Sequence, residues 1–155
     1  ATYGIKAGGF YNDTYKYRRA EMEKFTIQTT GSAAYLGDLT QARRKLTGTS
    51  NGTRGLFAGG IDASNDLTRL NIIDYLTIAT DTSATDFGDL SDNTQGVSAC
   101  SNETRAVFGG GTGDAGNIDT LQYVSYDTPG NTSAFGSLVA GTNNEGGSGL
   151  SGASA

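Results

Sequence analysis

The sequence predicts an all-β fold in which one four-stranded unit is written three times. Three observations carry that expectation. Only 35% of the 155 residues are hydrophobic, whereas glycine alone supplies 24, a mixture that suits short strands and many turns better than packed helices. The apolar residues fall in short clusters that alternate with polar ones, and no segment sustains a helical period. Finally, a shift of 51 residues lays the sequence on itself. Gly8-Gly9 falls on Gly59-Gly60, Arg18 on Arg69, "LGDL" (36–39) on "FGDL" (87–90), and "SNGTRG" (50–55) on "SNETRA" (101–106).

A second shift carries Gly59-Gly60 onto Gly110-Gly111. The third copy has a first loop three residues shorter, so Tyr75 matches Tyr123 and "FGDL" matches "FGSL" (135–138). A five-residue insertion near "TNNEGG" (142–147) restores "GLSGAS" (149–154) opposite "GVSACS" (96–101). The chain is therefore expected to be a single repeat domain over 1–155, with repeats 1–51, 52–102 and 103–155.

Each repeat supplies four strand candidates. The first is "YGIKAGG", "RGLFAGG" or "RAVFGGG", and the second lies around "EKFTIQT", "IIDYLTIAT" or "LQYVSYD". The third is "AAYLGDL", "TDFGDL" or "SAFGSL", and the fourth is "KLTGTS", "GVSACS" or "GLSGAS". Clusters such as "SNGT", "TDTS" and "TPGN" punctuate them as turns. "RRAEMEK" (18–24) is too short to count as a helix.

Adjacent glycines close each first strand: Gly8 and Gly9, Gly59 and Gly60, Gly110 and Gly111. Where first strands of stacked units converge, a side chain would collide with neighbouring backbone, so these glycines are expected to be structural. "GGGTGDAG" (109–116) does not qualify as a phosphate loop, because a strand follows it and no lysine is near.

The order of an apolar strand ending in Gly-Gly, a loop, a Tyr-containing strand, an aromatic about a dozen residues later, and then "DLTQARR" (38–44) resembles the kelch motif. The resemblance covers the whole chain, and Tyr75/Phe87 and Tyr123/Phe135 are its clearest pairs. It departs at Tyr35, Phe87 and Phe135, where kelch repeats usually carry tryptophan, and at Lys24-Phe25, where the other copies have Tyr-Leu or Tyr-Val. The Gly- and Thr-rich wording is similar to kelch-like repeats in structural and tail-fibre proteins of aquatic bacteriophages. The resemblance implies three blades of a β-propeller. Propellers close with about four to eight blades, so either copies associate, two giving six blades, or the chain is part of a longer one. A β-trefoil or β-prism, which would close as a single chain, is the alternative.

The search for chemistry is short. Without histidine there is no Ser-His-Asp triad and no imidazole metal ligand. Cys100, the sole cysteine, is expected to be a small core residue. Arg54 and Arg105 share one repeat position and look structural, as do Asp38 and Asp89 in "GDL", where aspartate favours a turn. Asp114, Asn117 and Asp119 make a weak calcium candidate. Four Asn-X-Ser/Thr sequons, at Asn12, Asn51, Asn102 and Asn131, are explained by turn formation. No catalytic residue and no cofactor is expected.

Charge is uneven. Residues 1–51 hold eight Lys or Arg against four Asp or Glu, and residues 52–155 hold three against twelve. Tyr11, Tyr15 and Tyr17 sit beside Arg18 and Arg19 in the first repeat, which makes these five the candidate contact residues, either for another subunit or for an anionic glycan. A net charge of −5 and the lack of a basic stripe argue against nucleic acid, and no apolar run approaches a membrane span. The expectation is a non-enzymatic structural or adhesive module of a virion or other extracellular surface, partnered by other subunits or by copies of itself. A saccharide-binding lectin-like domain is the alternative.

Overall fold

Tight Asn-led turns make hairpins, and those hairpins decide which strands share a sheet. The computed structural model describes residues 2–10, 18–62 and 68–139. The first sheet holds β1 (Tyr3–Phe10), β2 (Arg18–Thr26) and β3 (Ala34–Asp38) in that order. The chain then runs through β4 (Arg43–Arg44), β5 (Thr47–Ser50), β6 (Arg54–Ala58), β7 (Ile61–Asp62), β8 (Ile72–Thr77) and β9 (Thr85–Asp89). The described residues continue with β10 (Thr94–Gln95), β11 (Ser98–Ser101), β12 (Arg105–Gly109), β13 (Thr112–Gly113), β14 (Gly116–Asn117), β15 (Thr120–Ser125) and β16 (Ser133–Ser137). The second sheet has the order β5-β6-β8-β9 and the third β11-β12-β15-β16. Two-residue ladders join β4 to β7, and β10 to β13 to β14.

The sheets are out of phase with the sequence repeats. β5 and β11, the last strand of one repeat, are each the first strand of the next sheet. The reason is local: only three residues separate β5 from β6, and so short a turn forces an antiparallel pair. Asn51 Oδ1 accepts the N–H groups of Thr53 and Arg54 at 3.0 and 2.8 Å, and Asn102 does the same for Thr104 and Arg105. A second difference concerns β2, which begins at Arg18 and takes in "RRAEMEK" instead of starting near Glu23. Its pairing with β1 runs from Thr26 opposite Tyr3 to Arg18 opposite Phe10.

Alternation along the strands places apolar side chains on both faces, as an interior sheet requires. From the second sheet, Phe57 and Leu76 meet Met22, Leu36 and Leu39 of the first. Leu56, Ala58, Ile73 and Phe87 face the other way, toward Ala106, Phe108, Val124 and Tyr126 of the third. Burying each such Leu, Ile or Phe contributes about 1.5–3 kcal/mol, so face-to-face stacking is the main source of cohesion. Cys100 is not in this core. Ala99 takes the inward position and leaves Cys100 half-buried on the opposite face of β11.

The paired glycines are gripped between successive links. A Cβ on Gly59 would stand 2.6 Å from the Thr94 carbonyl oxygen, and one on Gly60 2.8 Å from that of Arg44. The same contacts recur one repeat away, Gly8 against Arg43 and Gly111 against Gln95, at 2.5 and 2.6 Å. Thus the first glycine of a pair receives the link that follows it and the second receives the link before it. Gly59 also has φ +65°, where a side chain is strained. Gly59→Ala should destabilise the fold by ~2–4 kcal/mol in urea unfolding. Gly52→Ala, at φ +89° but with open space around its Cβ, should cost only about 1–2 kcal/mol.

Candidate functional site

The densest polar cluster sits where the first link enters the second sheet. The register of β8 on β9 shifts between Ile73 and Asp74, with Phe87 of β9 as the extra, bulged residue. Asp74 lies opposite Phe57 on the uninterrupted β6–β8 ladder, on the strand face that also carries Leu76, and is fully buried with Oδ2 2.8 Å from Arg43 Nη1. Its oxygens also accept the Thr40 N–H at 3.0 Å and the Thr40 hydroxyl at 2.6 Å. Arg43 spends its remaining donors on backbone, giving Nε to Gly59 O at 3.0 Å and Nη2 to Phe57 O at 3.1 Å. The two charges compensate each other and their named partners are all protein groups.

The third sheet repeats this arrangement without charge. The register of β15 on β16 shifts between Leu121 and Gln122, with Phe135 of β16 as the extra residue, and the buried Gln122 accepts the Ser91 N–H at 2.8 Å and the Thr132 hydroxyl at 2.6 Å. Ser91 corresponds to Thr40, and the buried Thr94 stands where Arg43 does. One position thus holds an ion pair in one sheet and a neutral amide in the next. Its shared task is to fasten a link to the third strand of the sheet, β8 or β15.

Rings and cations form a second repeated contact. The Arg54 guanidinium lies 5.3 Å from the Tyr75 ring centre and that of Arg105 4.8 Å from Tyr123. In the first sheet the partners are exchanged. Tyr3 occupies the arginine position and Lys24 the tyrosine position, with Nζ 4.4 Å from the ring centre. This accounts for Lys24-Phe25, the point at which the first copy departs from the motif. Arg54 further donates Nη1 to the Tyr126 carbonyl.

At the outer edge, the "GD" pairs meet the following sheet. The Asp38 N–H donates to Ser83 Oγ at 3.1 Å while its carbonyl accepts from Ala84 N at 2.8 Å. The Asp89 N–H donates to Asn131 Oδ1 at 3.1 Å and its carbonyl accepts from Thr132 N at 2.9 Å. The Asp38 carboxylate also takes the Tyr35 hydroxyl at 2.9 Å, which raises that phenol's pKa.

Of the five expected contact residues, Tyr11, Tyr15 and Tyr17 lie outside the described residues. Arg18 opens β2 and pairs through its backbone with Phe10. Arg19 is an exposed neighbour of Glu21, Nη1 to Oε1 3.1 Å. In the calcium candidate, Asp114 is engaged by Arg69 Nη1 at 3.3 Å and Asn93 Nδ2 at 3.2 Å, while Asn117 belongs to β14 and Asp119 gives its carbonyl to Leu138 N–H at 2.6 Å. Among the described residues no three His, Cys, Asp or Glu side chains are placed to hold a metal. These loops instead border a polar groove of about 390 Å³ lined by Asn71, Asp92, Asn93, Asp114 and Asn117, which alternation and spacing gave no means of foreseeing.

No protein-family model matches the sequence, and no curated protein matches it. Among solved structures, YjhT, a kelch-repeat β-propeller protein, superposes with a TM-score of 0.67 at 14% identity over 88% of this chain. The fold is that of kelch propeller blades. This chain spans about half of that one, covering 52% of it. The three sheets are accordingly blades stacked face to face, and the trefoil and prism alternatives fall away because each blade is a separate sheet with its own inner and outer strand.

The links and the blade interior each generate a test. Asp74→Ala strands a buried Arg43 and should cost about 3–5 kcal/mol in chemical denaturation. The double change Arg43→Thr with Asp74→Gln, which copies the neutral residues of blade three, should recover more than half of that loss. In the interior, the Tyr126 hydroxyl is buried without a hydrogen bond of ordinary geometry, and burial holds its pKa above the usual 10.0. The unfolded chain ionises this phenol first, so its contribution is intact below pH ~10 and is lost as pH rises through the folded value. Tyr126→Phe should leave melting at pH 7 unchanged or higher and flatten the alkaline decline that sets in above about pH 10.

Proposed function

We propose that this chain is a non-catalytic structural or adhesive module that presents loops from a stack of rigid blades at the surface of a virion or cell, with a bacteriophage virion or tail fibre as the specific setting. The observation that carries the reading is the paired polar cluster. An ion pair in blade two and a neutral amide in blade three do the same job of holding a link, which is what a fastening requires and what a catalytic centre would not tolerate. The resemblance of the Gly- and Thr-rich wording to phage structural repeats supports the setting. Loops held by rigid sheets are suited to contact partners.

A second reading, saccharide binding, is favoured by the groove between Asn71, Asn93 and Asp114, since amide and carboxylate groups suit sugar hydroxyls. One pair of experiments separates the two. Fractionation of the source culture with an antibody to this protein should place it on particles or cell exteriors, and a cytosolic location would overturn the surface role. A glycan panel should stay flat under the structural reading. Binding that is lost in Asn93→Ala would replace it with the saccharide reading.

A further inference from the structure

Two turns of matching sequence carry different chemistry. "SNGT" (50–53) and "SNET" (101–104) hold the same place in successive repeats. In both, the asparagine Oδ1 accepts the backbone N–H groups two and three residues on. The residue after the asparagine differs. Gly52 has φ +89°, whereas Glu103 keeps a negative φ, Lys45 being the one described residue other than glycine with a positive value. The paired hydrogen bonds therefore form with or without glycine. What glycine adds is chemical. Asn51 is the one asparagine in the chain that precedes a glycine. The backbone nitrogen of a following residue can attack an asparagine Cγ, and glycine, without a Cβ, leaves that approach unobstructed. A Cβ on Gly52 would meet nothing within 4 Å, so no neighbouring group shields the peptide.

Asn51 is also the asparagine whose amide nitrogen is held. Its Nδ2 donates to the Glu103 carbonyl at 3.0 Å, across the contact between blades two and three. Two further bonds close that edge. Thr49 Oγ1 donates to Ser101 Oγ, and Ser101 Oγ donates to the Ser50 carbonyl, each at 2.8 Å. They tie β5 to β11, the strands that lead into the two turns. With Oδ1 on two N–H groups and Nδ2 on Glu103, the Asn51 amide is fixed at both ends. It is not free to turn the face of Cγ toward the Gly52 nitrogen until the edge parts.

We propose that Asn51 is a site of spontaneous deamidation that the contact between blades two and three holds shut. When the edge opens, the Gly52 nitrogen attacks Cγ and the Cγ–Nδ2 bond breaks. Nδ2 leaves as ammonia, taking the proton that Gly52 gives up, and a cyclic imide remains. Water then opens the imide at either carbonyl. The product is aspartate or, with the chain rerouted through the side-chain carboxyl, isoaspartate. Neither restores the edge. A carboxylate oxygen now faces the Glu103 carbonyl, two acceptors with no donor between them. Isoaspartate also lengthens the backbone of a turn in which three residues join β5 to β6. A stack that has parted between blades two and three is thus marked irreversibly. The inference concerns the lifetime of the folded chain and is independent of the surface role proposed above.

The tryptic peptide 46–54 reports on Asn51 alone, since it holds no other Asn or Gln. At mildly alkaline pH its conversion to the carboxylate, read by mass spectrometry, should be at least about tenfold slower in the folded chain than in urea. Ser101→Ala removes two of the three edge bonds. It should speed conversion in the folded chain several-fold and leave the rate in urea unchanged. Leu36→Ala loosens the contact of blades one and two instead, and should not speed it. Should Ser101→Ala fail to fold, Thr49→Val provides the same readout. Asn51→Asp should lower the urea midpoint. Equal rates in the folded chain and in urea, no acceleration by Ser101→Ala, or equal acceleration by Leu36→Ala would each overturn the proposal. So would an Asn51→Asp chain as stable as the unaltered one.

Discussion

Everything in this molecule depends on how closely one blade's link can pass the backbone of its neighbour. The chain crosses from an outer strand to the next inner strand through residues such as 90–97, and a crossing of that kind exposes peptide groups that need partners inside the protein. Two devices meet the need. Glycines without side chains let the link carbonyls come within contact distance of the first strands, and a buried polar residue, Asp74 or Gln122, accepts an N–H group of the link. Stacking of the apolar faces then follows, because the link has already fixed the separation and angle of the two sheets.

The cluster in blade two shows why charge alone is a poor guide to function. Arg43 and Asp74 are both fully buried, and a buried ion pair invites a catalytic reading. Each of their contacts, however, ends on backbone or on Thr40. The neighbouring blade does the same work with Thr94 and Gln122, so the charges are one solution among several to a geometric requirement. Removing both desolvated charges together is then far less costly than removing one.

Much of this architecture was legible in the sequence, and what was missed has identifiable causes. The period of 51 residues, the third strands ending in "GDL" and the glycine pairs could be seen because each recurs at a fixed offset. Sheet membership could not, since a repeat can be cut at any phase; only the shortness of the "SNGT" turn pointed to β5 joining β6. Asp74 escaped notice for a different reason. The sheet is covered on both faces, so alternation along β8 leaves Ile73 and Asp74 adjacent and both buried, and no polar–apolar contrast marks Asp74 as inward-facing. The early start of β2 was hidden because Arg18 to Lys24 carries charged residues that satisfy neither strand nor helix patterning clearly. The polar groove at Asn93 and Asp114 gathers residues from three separate loops, and no linear spacing encodes such a meeting.

The exchanged ring and cation of blade one have a consequence for how such repeats diverge. Starting from an Arg54/Tyr75 arrangement, a single substitution toward the Tyr3/Lys24 arrangement gives either two rings or two cations face to face. The first intermediate gives up the cation–ring attraction, and the second sets like charges together. The change is therefore non-additive, with each half unfavourable until the other is made. A set of diverged copies would then hold one arrangement or the other and seldom a mixture, so aligning repeats column by column hides a contact that only pairs of columns reveal.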